Sequence, residues 1–110
     1  MNKRDAIRGL SALAQDSRLD VFRLLVRAGE RGLPAGEIAR ELGVPHNTLS
    51  THLSLLTGAG LLEAERQGRQ IVYRVEVAGT RRLMGFLLED CCQGRPELCA
   101  PHTDDAAQEA

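Results

Sequence analysis

All three cysteines of this 110-residue chain lie in one stretch, DCCQGRPELC, at Cys91, Cys92 and Cys99. Thiolates are soft ligands and prefer thiophilic centres. Trivalent arsenic and antimony form three bonds and keep a lone pair, so three sulfurs complete a pyramidal site. Structural zinc is normally held by four ligands in a tetrahedron, and the segment offers no strong fourth; His102 is a further candidate. Consecutive residues leaving a helix end diverge by roughly 100°. Gly94 and Pro96 then permit a turn that brings Cys99 back toward Cys91 and Cys92, and Arg95 favours the thiolate form.

Other uses of the cysteines are less well served. Free cysteines are often small buried hydrophobes, but this segment is polar and contains glycine and proline. Adjacent cysteines pair poorly as a disulfide, and a reducing compartment disfavours one. A reversible redox switch remains as an alternative. A phosphatase-like anion loop needs an arginine at fixed spacing after its nucleophile, within a glycine-rich loop before a helix. CCQGRPELC has neither feature, and no enzymatic activity is expected.

The elements that must carry this segment are helical for most of the chain. Ile7, Leu10, Leu13 and Ala14 recur at helical spacing and predict a first helix over about residues 3–14. SRLD, from Ser17 to Asp20, predicts a capping box, followed by a second helix that turns Leu19, Phe22, Leu25 and Val26 inward and stops at Gly29. In LPAGEIARELGV, Pro34 suits a first helical turn, Ala35, Ile38, Ala39 and Leu42 share a face, and Gly43 ends the helix. HNTLSTHLSLLTGAG predicts a fourth helix with Leu49, Leu53 and Leu56 buried.

The period then changes from 3.6 to 2. Leu62 and Ala64 alternate with Glu63 and Glu65, and Ile71, Tyr73 and Val75 alternate with Val72 and Arg74. RQGRQ between them, with Gly68 at its tip, predicts a β-hairpin. Leu83, Phe86, Leu87 and Asp90 mark a last helix over about 78–92.

Two helices joined by a tight turn and followed by a hairpin predict a winged helix-turn-helix: mainly α, about five helices and a small β-hairpin. In such a domain the second helix of the pair lies in the major groove of DNA. His46, Asn47, Thr48, Ser50, Thr51, His52 and Ser54 are its candidate contacts, with Arg66 and Arg69 at the hairpin tip. Asn pairs bidentately with adenine, and Ser and Thr bond to several base edges. The recognition helix has no Lys or Arg, so phosphate affinity must come from elsewhere, with Lys3, Arg4, Arg66 and Arg69 as candidates. The pattern alone also fits a small helical domain that touches no DNA.

Bulk composition is consistent with this reading. The chain is 43% apolar with three aromatic residues, so leucine must fill most of the core. Net charge is −1, but Asp104, Asp105 and Glu109 lie in a tail without Lys or Arg; without them 14 basic residues face 12 acidic ones. No apolar run approaches the roughly 18 residues of a membrane span. The N-terminus lacks a signal peptide's apolar stretch, which predicts a cytoplasmic protein. The domain is expected over 1–92, an effector segment over 90–99, and a disordered acidic tail over 100–110.

The run from Asp16 to Val75, and most specifically HNTLSTHLSLLTGAGLL, resembles the ArsR/SmtB family of metal- and metalloid-responsive repressors. The resemblance covers residues 4 to about 90. It implies a homodimer built from the first and last helices, seated on an inverted repeat of double-stranded operator DNA. Ile7, Leu10, Leu83 and Phe86 would supply the apolar faces of those two helices. Family members place ligands differently. GEIARELG lacks the cysteine pair of one arsenic site, and GTRRLMGFLLED offers Glu89 and Asp90 but no histidine for a zinc site. DCCQGRPELC is similar to the C-terminal cysteine group of some arsenite-responsive members. The resemblance therefore implies As(III) or Sb(III) as effector at Cys91, Cys92 and Cys99, with cadmium or zinc as the alternative and no resident cofactor.

Overall fold

Each of the first helices starts on a side chain that accepts a backbone N–H. In the computed structural model, which describes residues 1–91 and 95–99, Asn2 Oδ1 accepts from the Asp5 amide at 2.7 Å and opens α1 (Lys3–Leu13). Gln15 Oε1 accepts from Arg18 at 2.8 Å and opens α2 (Asp16–Ala28). The predicted Ser17–Asp20 capping box therefore does not form, because the helix begins one residue before Ser17.

The buried faces of these two helices also differ from expectation. α1 buries Ala6, Gly9 and Ala12, while Ile7 and Leu10 remain 53% and 41% exposed. Small residues let α1 lie close to its neighbours. α2 buries Val21 and Leu25, and Leu19 and Val26 face outward. With apolar residues at 19, 21, 22, 24, 25 and 26, the helix had more than one apolar face to offer.

Gly29 ends α2 at φ +69°, and a 3-10 turn (Gly29–Arg31) leads to the two-residue strand β1 (Leu33–Pro34). Pro34 thus precedes α3 (Ala35–Leu42) as its cap instead of entering its first turn. Gly43, at φ +65°, stops α3 as expected, and α4 (His46–Gly58) follows after a short turn. β2 (Leu62–Gln67) and β3 (Gln70–Val75) form the hairpin. Its register pairs Leu62 with Val75 and Gln67 with Gln70. β1 adds to β3, making a three-stranded antiparallel sheet in the order β1-β3-β2.

The chain closes with α5 (Val77–Gly85), a π-helical turn over Phe86–Cys91, and the four-residue helix α6 (Pro96–Cys99). Leu83 is 3% exposed and packs on its own chain, against Gly9 of α1. Phe86 packs against the same core. Leu83 is thereby withdrawn from the outward face assigned to it by sequence, whereas Phe86 is only partly covered.

Leucine dominates the interior, as the scarcity of aromatics predicted: Leu25, Leu49, Leu53, Leu56, Leu61 and Leu62 are all fully buried, with Val21 and Ile38. The architecture is a winged helix-turn-helix with α3 and α4 as the paired helices and β2–β3 as the wing. No described helix is long and apolar enough to cross a membrane. The tail over 100–110, including His102, lies outside the described residues.

Candidate nucleic-acid interface and effector segment

The leucine spacing of α4 decides which residues it displays. Leu49, Leu53 and Leu56 enter the core, and the helix period then turns Asn47, Ser50, Thr51 and Ser54 outward. Thr48 and His46 are exposed as well. At the start of the helix Asn47 Oδ1 accepts from the Thr48 amide at 3.0 Å, and the Thr51 hydroxyl donates to the Asn47 carbonyl at 3.4 Å. The displayed set is polar, short and uncharged, a surface able to exchange hydrogen bonds with base edges.

His52 does not belong to that set. It is 7% exposed, and its Nδ1 has no hydrogen-bond partner among the described residues. Burial, and then the charge of Arg18, hold its imidazole below the ordinary histidine value. The sequence placed it among DNA contacts; the packing of α4 on α2 turns it inward instead.

The wing is held by one arginine. Arg74 bonds Glu65 at 2.7 Å, Glu63 at 3.4 Å and the carbonyl of Glu30 at 3.0 Å, tying β3 to β2 and to the turn after α2. Hydrogen bonding to Arg74, then to Gln67, holds the Glu65 carboxyl below the usual carboxylate range. Gly68, at φ +64°, makes the tip, which leaves Arg66 and Arg69 exposed.

Between wing, α3 and α4 lies a cleft of about 500 Å³. Arg40, His46, Ser50, Arg69 and Tyr73 contribute its polar lining, together with Glu37. Arg40 and Tyr73 escaped the sequence reading. The available signal for Arg40 was its place on α3 away from Ile38 and Ala39, one helix before the recognition helix.

The segment expected to bind an effector follows α5. The backbone of Cys91 ends the π-helical turn and that of Cys99 ends α6. Cys92 lies outside the described residues. Arg95, expected to favour thiolates, pairs with Glu97 at 2.5 Å, which offsets part of its charge.

Comparison with known proteins agrees with this architecture. A family model for a helix-turn-helix domain matches residues 13–65. The transcriptional regulator CmtR of Mycobacterium tuberculosis is 35% identical over 78 residues, which are 71% of this chain and 64% of the regulator's length. The chain thus matches less than two thirds of that relative. The biofilm growth-associated repressor of Xylella fastidiosa is 31% identical over 76% of this chain and 70% of its own. Among solved structures, a homodimeric winged helix-turn-helix DNA-binding domain from Mycobacterium bovis, described as a possible ArsR-family regulator, superposes with a TM-score of 0.65. It is 28% identical and covers 90% of this chain and 88% of that one. These relatives are regulators of transcription, a repressor and a DNA-binding domain. The leucine-spaced recognition helix, the arginine-tipped wing and these likenesses together establish that the chain belongs to the ArsR family of winged helix-turn-helix transcriptional regulators.

Proposed function

We propose that this chain is a homodimeric repressor that occupies an inverted-repeat operator and releases it when Cys91, Cys92 and Cys99 bind arsenite or antimonite. The observation that carries the DNA-binding part is α4 itself. Its exposed face holds Asn47, Thr48, Ser50, Thr51 and Ser54, and arginines stand beside it on the wing. Such a helix reads a major groove through its N-terminal residues.

The effector part is supported by donor chemistry and by position. Three soft sulfurs suit a three-coordinate thiophilic centre better than a tetrahedral metal. Cys91 ends the same continuous helical segment whose Leu83 packs on α1. Closing the three thiolates round one centre would draw that segment into a fixed turn and shift the two recognition helices relative to their half-sites. Coupling of this kind is typically about 1–3 kcal/mol, or roughly 5–150-fold in affinity.

Fluorescence anisotropy tests the proposal with the full chain and a duplex selected by the protein from a random library. Titration with arsenite or antimonite should release the duplex, and Cys91→Ser or Cys99→Ser should bind as tightly but fail to release. Release by cadmium or zinc alone would assign the same cysteines to another soft ion. Release by peroxide, reversed by a thiol, would make the segment a redox switch.

A further inference from the structure

The recognition helix carries no Lys or Arg, so the phosphates beside it must be held by other elements. On one side of α4 stand Arg40 and Arg69, in the cleft that includes His46 and Ser50. Further round α4 is a second cavity, of about 360 Å³, between α4, α1 and the start of α2; its Ser54 and Gly58 also border a space against Ala64 and Tyr73 of the wing. Arg8, Ser11, Arg18 and Ser54 supply its polar groups, and Leu55 and Gly58 part of its floor. Among the described residues no carboxylate lines it.

We propose that this cavity is a second backbone site, in which Arg8, Arg18 and the hydroxyls of Ser11 and Ser54 hold a phosphodiester of the strand bordering the major groove on the α1 side of α4. The proposal rests on the DNA-binding reading above and adds residues of α1 and α2 to it.

Three observations carry the proposal. Asn47, Thr51, Ser54 and Gly58 follow one another at spacings of four, three and four, so they form one row along α4. The last two belong to the cavity, which therefore opens beside the groove-facing row. Arg8 is exposed, and its guanidinium lies over the C-terminal end of α4: a Cβ at Gly58 would stand 3.2 Å from Arg8 Nη2. Arg18 is oriented by a 2.8 Å bond from its Nε to the Ala12 carbonyl, which leaves its terminal nitrogens to other acceptors. Neither arginine forms an ion pair among the described residues.

The edge of α1 that carries these groups is distinct from its apolar one. Arg4, Arg8 and Ser11 share a side by their spacing of four and three, whereas Ile7 and Leu10 lie elsewhere on the helix. Arg4 extends the basic edge one turn beyond the cavity. A major groove is about 12 Å wide and bounded by two phosphate strands. Cationic groups on both flanks of an uncharged helix would fix its depth and tilt without reading sequence.

Because backbone contacts are blind to sequence, a labelled random-sequence duplex is a sufficient probe. Anisotropy titrations of the full chain from 50 to 200 mM salt would compare wild type, Arg8→Gln, Arg8→Lys and the double variant Arg8→Gln/Arg18→Gln, with melting curves confirming that each is folded. Arg8→Gln should weaken binding roughly ten- to hundredfold at low salt. In a dimer it should flatten the salt slope by about 1.8, at ~0.9 for each phosphate. Arg8→Lys should restore most of the slope, and Asn47→Ala should spare the random duplex.

Wild-type binding with the double variant unchanged in affinity and slope overturns this proposal alone. Uptake of inorganic phosphate by calorimetry, while the double variant binds DNA normally, overturns it too. A wild-type chain that binds no duplex at any salt overturns both this proposal and the DNA-binding reading.

Discussion

His52 and Gly79 show how far a single position depends on its surroundings. His52 is buried beside Arg18 with no partner for its Nδ1 among the described residues, and burial is the main cause that lowers its proton affinity in the folded chain. The unfolded chain takes up that proton near the ordinary value of about 6.5. Below this pH the unfolded state therefore binds more protons, and stability falls as pH drops from there toward the depressed folded value. Urea midpoints measured from pH 7.5 to 5.5 should decline for the wild type and decline less for His52→Gln. An equal decline in both would remove His52 as the cause. Gly79 presents the converse case. A Cβ there would collide with the Gly60 carbonyl, at the close contact between α5 and the turn after α4. Gly79→Ala should cost about 1–3 kcal/mol or more by overpacking, read as a lower melting temperature.

At the level of elements, the wing depends on Arg74 for more than charge. That side chain joins β2, β3 and the turn after α2 through three acceptors, and it is largely covered. Arg74→Gln should accelerate amide exchange across β2 and β3 while leaving α4 protected; uniform exchange rates would contradict this. Helix positions and the hairpin were legible in the sequence because Gly29, Gly43 and Gly68 punctuate runs of clear period. The faces of α1 and α2 were less so. Ala6, Gly9 and Ala12 win burial in α1 because small residues permit close approach, which a search for large apolar residues passes over. β1 is two residues long and owes its existence to pairing with Tyr73 and Val72, a long-range partnership without local signal. Likewise His52 and Arg40 took their places from packing between helices, whereas Asn47, Ser50 and Thr51 followed directly from the leucine spacing of α4.

The whole molecule leaves apolar surface on α1 and α5 that its own core does not cover. Ile7 and Leu10 on α1 are about half exposed, and Val77 and Met84 on α5 are 63% and 53% exposed. Val77 and Met84 are seven residues apart, two helical turns, so they lie on one side of α5. Leu83, next to Met84, already binds α5 to α1 through Gly9. The two helices therefore form one unit with its outer apolar side uncovered. A second copy would cover it, as the homodimeric Mycobacterium bovis domain suggests for this fold. The double substitution Ile7→Glu/Met84→Glu places charge on both exposed positions and leaves the buried Leu83–Gly9 contact intact. Sedimentation velocity should then show a folded monomer where the proposed homodimer is expected for the wild type. DNA affinity should fall by about 100-fold or more, because two half-sites are no longer engaged by linked recognition helices. A variant that stays dimeric would place the interface elsewhere, and one that is monomeric yet binds DNA undiminished would separate dimerisation from operator binding. Since the helical segment that begins with α5 runs on to Cys91, the monomer also tests the proposed switch: with no partner to move against, arsenite should bind the thiolates without changing what affinity for DNA remains.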